Sequence, residues 1–269
     1  MNRRINRLLW LPFLLLLLGC EEVVEVDLEE SEPRLVIEAS LIWNLDSEDL
    51  PLYIRISETA PYFSDEMPPA VGALVSVSTE SGEEYNFEEA EPGVYYHAGF
   101  VPLLEEDYVL EVEYEEELYT ATERLYSVPE LEFVEQTDNG GFGGEDAEFK
   151  VFYTDPGQEE NFYLFRFYHE KVSLQIYDDE FTNGNRTFAF YSEDEVQSGD
   201  QVLFEIQGIS RRFFEYMYIL RSQAGTSGGP FQTPPTSVRG NIINTSTPEN
   251  YAYGYFRLSY SDYLSYQVK

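Results

Sequence analysis

Oxygen-bearing side chains cluster in one short stretch of the sequence, YDDEFTNGN, which could hold a calcium ion. Asp178, Asp179, Glu180 and Asn183 bring three carboxylates and one amide close together. Calcium takes about six to eight such oxygens, but the ligand spacing of an EF-hand loop is absent. Asn183-Gly184 is also typical of a tight hairpin turn. We therefore favour a solvated turn, with calcium at these four residues as the alternative and no other cofactor expected.

A second motif, GTSGG at 225–229, formally matches the G-x-S-x-G pattern of a nucleophilic serine. That pattern needs a strand before the serine, a helix after it and a histidine later in the chain. Here a helical segment precedes Ser227, Pro230 follows the motif, and both His97 and His169 lie upstream. We interpret the motif as a glycine-rich loop and the two histidines as strand residues, so no catalytic residue is expected.

The one cysteine in the chain, Cys20, follows a leader-like segment. Three arginines precede the apolar run 8–18, which is the layout of a secretory signal and is shorter than a membrane span of about 20 residues. The letters LLGC resemble the bacterial lipobox, in which the cysteine is diacylated on sulfur and becomes the mature N-terminus. We predict a lipoprotein signal peptide over 1–19 and lipidation of Cys20, with a retained transmembrane anchor as the alternative.

Lipidation would place the protein on a membrane without spanning it. Each buried methylene of an acyl chain contributes about 0.8 kcal/mol, so two or three chains hold a domain on a bilayer. Glu21 and Glu22 resemble the acidic export tag that sends lipoproteins of Bacteroidota to the outer cell surface. We therefore expect an outer-membrane lipoprotein that is exposed at the surface, with residues 20–32 as an acidic tether.

Strong negative charge limits the partners of this chain. The sequence has 51 acidic and 16 basic residues, for a formal net charge of −35. Such a charge argues against nucleic acid and against anionic lipid headgroups as ligands. A cation or a basic ligand is the functional alternative, but an acidic solvated surface is the interpretation that we favour.

The first part of the mature chain, 33–127, alternates apolar and polar residues with a period of two. In LPLYIRISET, for example, Leu52, Ile54 and Ile56 alternate with polar or amphipathic neighbours. About seven short strands separated by turns are typical of antiparallel sheets. We predict an immunoglobulin-like β-sandwich for this part.

The second part, 128–269, is predicted to be a β-rich domain that carries one helix near 210–224. Ser210 is a suitable N-cap and Gly225 a suitable stop. The segment between them places four residues on one stripe that we assign to core packing: Phe213, Tyr216, Met217 and Leu220. The predicted fold class of the whole chain is therefore all-β with a single helix.

Several segments resemble one family of bacterial lipoproteins. These are CEEVVEVDLEESEPRLVIEASL, RISETAPYF with PAVGALVSVSTESGEEYNF, and PFQTPPTSVRGNIINTSTPENYAYGYF. On these segments the chain resembles the Bacteroidota family catalogued as domain of unknown function 4249. Members of that family are commonly encoded beside TonB-dependent outer-membrane receptors. The resemblance implies an accessory role at such a transporter, and it brings no catalytic residues with it.

These observations favour a non-enzymatic, lipid-anchored binding protein of the cell envelope that assists a TonB-dependent receptor in nutrient uptake. Two other classes stay open. One is an envelope hydrolase that cleaves a glycan or a peptide with acidic residues, and the other is a structural or adhesive surface domain. Neither the ligand nor the oligomeric state follows from the sequence.

Replacing the cysteine tests the anchor directly. Cys20→Ser removes the sulfur that is acylated, so we expect an unprocessed precursor that no longer fractionates with the outer membrane. Immunoblotting of membrane fractions with a C-terminal tag measures both effects. Normal processing and membrane retention of the variant would refute the lipoprotein assignment.

Overall fold

Strands make up most of the part of the chain that the structure describes. The computed structural model describes residues 32–44, 52–61, 64, 66–140, 146–193, 196–224 and 237–269. The first strands are β1 (Leu35–Trp43), β2 (Leu52–Glu58), β3 (Leu74–Thr79), β4 (Glu84–Glu91), β5 (Val94–His97), β6 (Asp107–Tyr114) and β7 (Glu117–Tyr126). They are followed by β8 (Leu131–Gly140), β9 (Asp146–Thr154), β10 (Phe162–Tyr168), β11 (Val172–Asp178), β12 (Arg186–Glu193), β13 (Gln201–Ile209), α1 (Arg211–Ala224), β14 (Ile243–Asn244) and β15 (Tyr253–Gln267). The predicted all-β class with one helix is confirmed.

The alternation of apolar residues in the sequence sets which face of each strand is buried. Strand β1 shows this most clearly, because its buried and more exposed residues alternate along its whole length. Side chains on a strand point alternately to opposite faces, so one residue in two can reach a core. The five residues that β1 buries are Leu35, Ile37, Ala39, Leu41 and Trp43.

Eight strands close into a barrel in the order β15-β1-β2-β5-β4-β3-β6-β7, since β7 pairs back onto β15. Strand β15 runs parallel to β1 from Val36↔Tyr253 to Trp43↔Tyr260. It is also parallel to β7, at Leu258↔Leu125. The structure therefore shows a barrel with additional strands where we expected an immunoglobulin-like sandwich. The strand that closes the barrel, β15, comes from the end of the chain farthest from β1. Its alternation of apolar and polar residues does not indicate which strands it pairs with.

The sheet continues past the barrel, and a second sheet packs against this extension. Strands β13, β10 and β11 follow β15, and a separate three-stranded sheet has the order β12-β9-β8. Between the two sheets lies an aromatic core that includes Phe149, Phe165, Phe167, Tyr191 and Phe204. Aromatic residues supply much of this core because each buries a large apolar surface.

Residues Pro33–Lys269 form one compact unit, and β15 contributes to both large hydrophobic cores within it. Phe256 and Leu258 belong to the barrel core, whereas Leu264 packs against the core of the second layer. The division into domains at 127/128 stays a prediction.

Helix α1 lies on the face of the extended sheet opposite the aromatic core. Phe213 packs with Phe162, Leu164, Ile209 and Tyr255 in a small separate cluster. The helix is confirmed, and three of the four residues of the predicted stripe pack in this cluster, since Tyr216 and Met217 join Phe213 there. Leu220, the fourth, is not part of the cluster. Among the described residues, no helix is long and apolar enough to cross a membrane.

The pairing of β1 with β15 requires a glycine at position 254. Gly254 has a φ of +95°, and an added Cβ would lie 2.0 Å from the carbonyl oxygen of Ile37. Gly72 has a similar φ of +81° but has no atom within 4 Å of an added Cβ. An alanine at either position would have a strained backbone, but only an alanine at 254 would also clash with a neighbouring strand.

We expect Gly254→Ala to lower the free energy of unfolding by about 2–4 kcal/mol, because strain and overpacking act together. Gly72→Ala, the matched control, should cost about 1 kcal/mol. Urea denaturation of both variants measures the difference. Equal losses would contradict the close approach of β15 to β1.

Candidate functional site

A cleft of about 750 Å³ lies where β7, the start of β10 and the start of α1 meet. Leu125, Phe162 and Ile209 form apolar parts of its wall. The charged groups that line it are Glu105, Asp107, Glu123, Arg124, Glu159, Glu160, Arg211 and Arg212. Clefts of this size that combine apolar walls with converging polar groups are typical ligand sites.

Glu123 is the carboxylate of this cleft that is most removed from water. It occupies the inward-facing row of β7, together with Tyr119, Ala121 and Leu125, and only 8% of its surface is exposed. Burial raises the pKa of Glu123, and hydrogen bonds from Ser210 and a backbone amide oppose that rise. A buried carboxyl with a raised pKa in a cleft is a common feature of functional sites and also of structural networks.

The contacts of Glu123 connect β7 to the first turn of α1. The Ser210 hydroxyl donates to Glu123 Oε2 at 2.8 Å, and the backbone N–H of Arg124 donates to Oε1 at 3.1 Å. Ser210 Oγ in turn accepts a hydrogen bond from the Phe213 amide at 3.1 Å, which makes it the N-cap of the helix. The negative charge of Glu123 also lies near the positive end of the helix dipole. Glu123 therefore positions the helix start at the cleft.

Two of the three arginines in the cleft are held by acidic neighbours. Arg124 makes a bidentate pair with Asp107, at 2.7 and 3.1 Å, and this pair holds the pKa of Asp107 below its usual range. Arg211 pairs with Glu160 at 3.1 Å and with Glu215 at 3.4 Å. All four side chains of the Arg124 and Arg211–Glu160 pairs are well exposed, so the pairs contribute little to stability. Their main effect is to fix the shape of the cleft wall.

Arg212 is different, because no carboxylate of the described residues lies within 4.0 Å of its guanidinium. Its charge lowers the pKa of Glu123 through space. A guanidinium presents five N–H donors in a rigid fork. Arg212 is thus the cationic group that this cleft can offer to a ligand.

Comparison with known families gives one match. The model described as "Domain of unknown function (DUF4249)" matches residues 21–262. The chain belongs to the DUF4249 family. The family predicted from the quoted segments is therefore confirmed. A search of curated proteins finds no match for this DUF4249 chain.

Several predictions concern residues outside the described part of the chain. These are the signal peptide over 1–19, lipidation of Cys20, the acidic tether over 20–32 except for its last residue, and the glycine-rich loop around Ser227. All of them stay predictions for this DUF4249 chain.

The two histidines have separate local roles. His97 ends β5, and its Nδ1 accepts a hydrogen bond from the Gly99 amide at 3.0 Å. His169 directly follows β10, and its ring lies between Asp200, at 3.2 Å, and Glu193, at 3.5 Å. The structure therefore places one histidine in a strand, as predicted, and the other just beyond one.

The four calcium candidates form the turn that joins β11 to β12, but they do not converge. Asp179 is buried, and its carboxylate accepts the Asn161 amide at 2.9 Å. Asp178 and Glu180 are exposed, and Asp178 Oδ1 accepts the Glu180 amide at 3.3 Å. The exposed Asn183 side chain donates to a backbone carbonyl. In the described part of the chain, no group of three or more His, Cys, Asp or Glu side chains could hold a metal ion. Calcium at this turn stays a prediction.

The sequence analysis did not select Glu123 or Arg212, although one signal for Glu123 is present. In ELYTATERLY the alternation assigns the row of Tyr119, Ala121 and Leu125 to the core, and Glu123 falls in that row. A carboxylate at a core position needs hydrogen-bond partners. One is the backbone amide of the adjacent Arg124, and the other is Ser210, 87 residues later at the N-cap of α1. The sequence does not reveal that partner.

The raised pKa of Glu123 makes a testable contribution to stability. The folded chain binds a proton on the Glu123 carboxyl more tightly than the unfolded chain does. This binding therefore stabilises the fold below pH 4.5, the ordinary pKa of a glutamate. It is lost as the pH rises through the raised pKa. Glu123→Gln keeps the shape of the side chain and stays neutral. The free energy of unfolding of the variant, relative to the parent, should therefore increase as the pH rises from below 4.5 through the raised pKa.

Chemical denaturation at several pH values measures this difference. Glu113→Gln, an exposed position on β6, is the matched control and should show no such pH dependence. A pH-independent difference for Glu123→Gln would show that the buried carboxyl does not titrate differently on folding.

Proposed function

We propose that this DUF4249 chain is a lipid-anchored binding protein of the bacterial outer membrane that assists a TonB-dependent receptor in nutrient uptake. The observation that carries the proposal is the cleft at the start of α1, with ion pairs in its walls and the guanidinium of Arg212, which has no carboxylate of the described residues within 4.0 Å. Membership of the DUF4249 family and the lipobox-like segment at Cys20 support the envelope location.

The chemistry of the cleft supports binding of a polar ligand. Arg124–Asp107 and Arg211–Glu160 hold the wall in place before a ligand arrives, and a preformed site loses less conformational freedom on binding. Arg212 supplies a donor fork for an acceptor-rich group, and Leu125 and Phe162 offer apolar contact. A short peptide or a glycan fragment combines these properties and would fit in about 750 Å³.

A hydrolase is the second candidate, and Glu123 is the observation in its favour. A carboxyl whose pKa is raised by burial can act as a general acid, and Glu123 lines this cleft. Its Oε2 already accepts the Ser210 hydroxyl, which favours a structural role instead. Hydrolysis of a glycan or peptide panel that Glu123→Gln abolishes would promote this candidate.

We also propose that residues 33–127 are related to immunoglobulin-like β-sandwich domains. Strand β4 pairs with β5 on one side and with β3 on the other, so the barrel can also be viewed as two curved sheets that share strands. Sandwich domains of that kind commonly present ligand-binding loops at their ends.

Co-purification tests the proposed partnership. The tagged protein is isolated from native outer membranes in mild detergent, and the proteins that accompany it are identified by mass spectrometry. We expect a TonB-dependent barrel in near-equal amount, and the same barrel should be absent when the Cys20→Ser variant is purified. Recovery of the anchored protein without a receptor would contradict the accessory role.

A further inference from the structure

A groove of about 540 Å³ crosses β1, β2, β4, β5 and β10, and it shares no described lining residue with the cleft. Ser40 and the half-buried Arg166 line the end of the groove next to the buried Arg257, and we call this its inner end. Three charged side chains line the exposed rim, namely Glu38, Arg55 and Glu91. Arg55 lies directly opposite Glu38 in the pairing of β1 with β2, so these two charges are neighbours on one face of the sheet.

Behind Ser40 lies a buried arginine of β15. Arg257 is only 2% exposed. Its Nε donates to Ser40 Oγ at 3.1 Å, and its Nη1 donates to Ser259 Oγ at 2.9 Å. The pKa of Arg257 is lowered to about 9, mainly by burial and in part by the nearby charge of Arg166. Arg257 remains charged at neutral pH, so two guanidinium groups lie close together at the inner end of the groove.

Glu205 is a carboxylate close to both arginines, and its charge raises the pKa of Arg257 against the effect of burial. Glu205 is completely buried and faces Arg166 across the pairing of β10 with β13. It accepts hydrogen bonds from the hydroxyls of Tyr168 and Tyr263 and from the side-chain amide of Gln207. Three neutral donors therefore satisfy Glu205.

Neither arginine has an ion-pair partner in the part of the chain that is described. No carboxylate there lies within 4.0 Å of Arg166 or Arg257, and Arg166 Nε is buried without a hydrogen-bond partner. Leaving a buried charged donor without a partner is costly. The inner end of the groove thus combines two positive charges, one satisfied carboxylate and an unpaired donor.

We propose that this groove binds a small ligand through a single carboxylate group, which accepts hydrogen bonds from Ser40 and Arg166. Because Ser40 Oγ accepts from Arg257 Nε, its own proton can point to the ligand, and Arg257 strengthens that donor. Charge-assisted hydrogen bonds of this kind are stronger than neutral ones.

The rim of the groove restricts the rest of the ligand. The rim carries two carboxylates, Glu38 and Glu91, and one guanidinium, Arg55, so its negative net charge disfavours a second negative charge and favours an amine. A monocarboxylate with a neutral or cationic remainder therefore fits the groove, and a phosphate dianion does not. A short zwitterionic peptide combines the favoured carboxylate with an amine for the rim. The inference concerns residues other than those of the cleft, so it does not depend on the proposed receptor.

Titration calorimetry of the full folded protein tests the inference with three probes: glycylglycine, acetate and inorganic phosphate at matched ionic strength. We expect saturable binding of glycylglycine, weaker binding of acetate and no binding of phosphate. Arg166→Gln should weaken the binding of glycylglycine by about tenfold or more, as expected for the loss of a charge-assisted contact. Arg186→Gln, which removes an exposed arginine paired with Glu132 on another sheet, is the control with the same charge change and should bind normally.

Ser40→Ala provides a second variant, and because it removes the acceptor of the buried Arg257 Nε it should also lower the temperature of thermal unfolding. It should weaken the binding of glycylglycine when binding is measured at a temperature at which circular dichroism shows that the variant is folded. Binding that is unchanged in both Arg166→Gln and Ser40→Ala would overturn the inference, and so would the absence of binding by glycylglycine and acetate. Binding of phosphate alone would overturn the assignment to a carboxylate.

Discussion

The pairing of β15 with three other strands is the constraint on which the rest of the structure depends. Its first half runs parallel to β1 and touches β7, which closes the barrel, and its second half pairs with β13. One strand of fifteen residues therefore supplies the barrel core with Phe256 and Leu258 and extends the sheet that carries the aromatic core. The glycine at 254 permits the close approach to β1. Without β15 the barrel would have an open edge, and the extended sheet would end at β13.

Both the cleft and the groove lie where segments that are distant in sequence meet through this strand. In the cleft, Glu123 of β7 supports the N-cap of α1, and α1 packs on Tyr255 of β15. In the groove, Arg257 of β15 donates to Ser40 of β1. The polar residues are fixed by strands on either side, so their geometry is set before a ligand arrives. That rigidity favours recognition of defined polar groups at both sites.

Local patterns predicted much of the fold but little of either site. The alternation in β1 and the amphipathic stripe of α1 are local, and they identified the elements and the buried faces. Strand pairing is not local, because β15 pairs in a defined register with β1, which lies more than 200 residues earlier in the chain. The buried charged residues near the groove interrupt apolar strands in the sequence, as Arg257 does in YFRLSY and Glu205 in VLFEIQ. Such interruptions signal a polar cluster, but only the pairing shows which residues form it.

Native-state hydrogen exchange along β15 tests the central role of this strand most directly. If β15 joins the barrel and the extended sheet into one cooperative unit, slow amides of β1, β13 and both halves of β15 should exchange with the same free energy, that of global unfolding. The account would be contradicted if the amides of β10 and β13 exchanged with a clearly lower free energy than those of β1. Residues 261–267 of β15 would then exchange together with β13. The extended sheet would then unfold independently of the barrel.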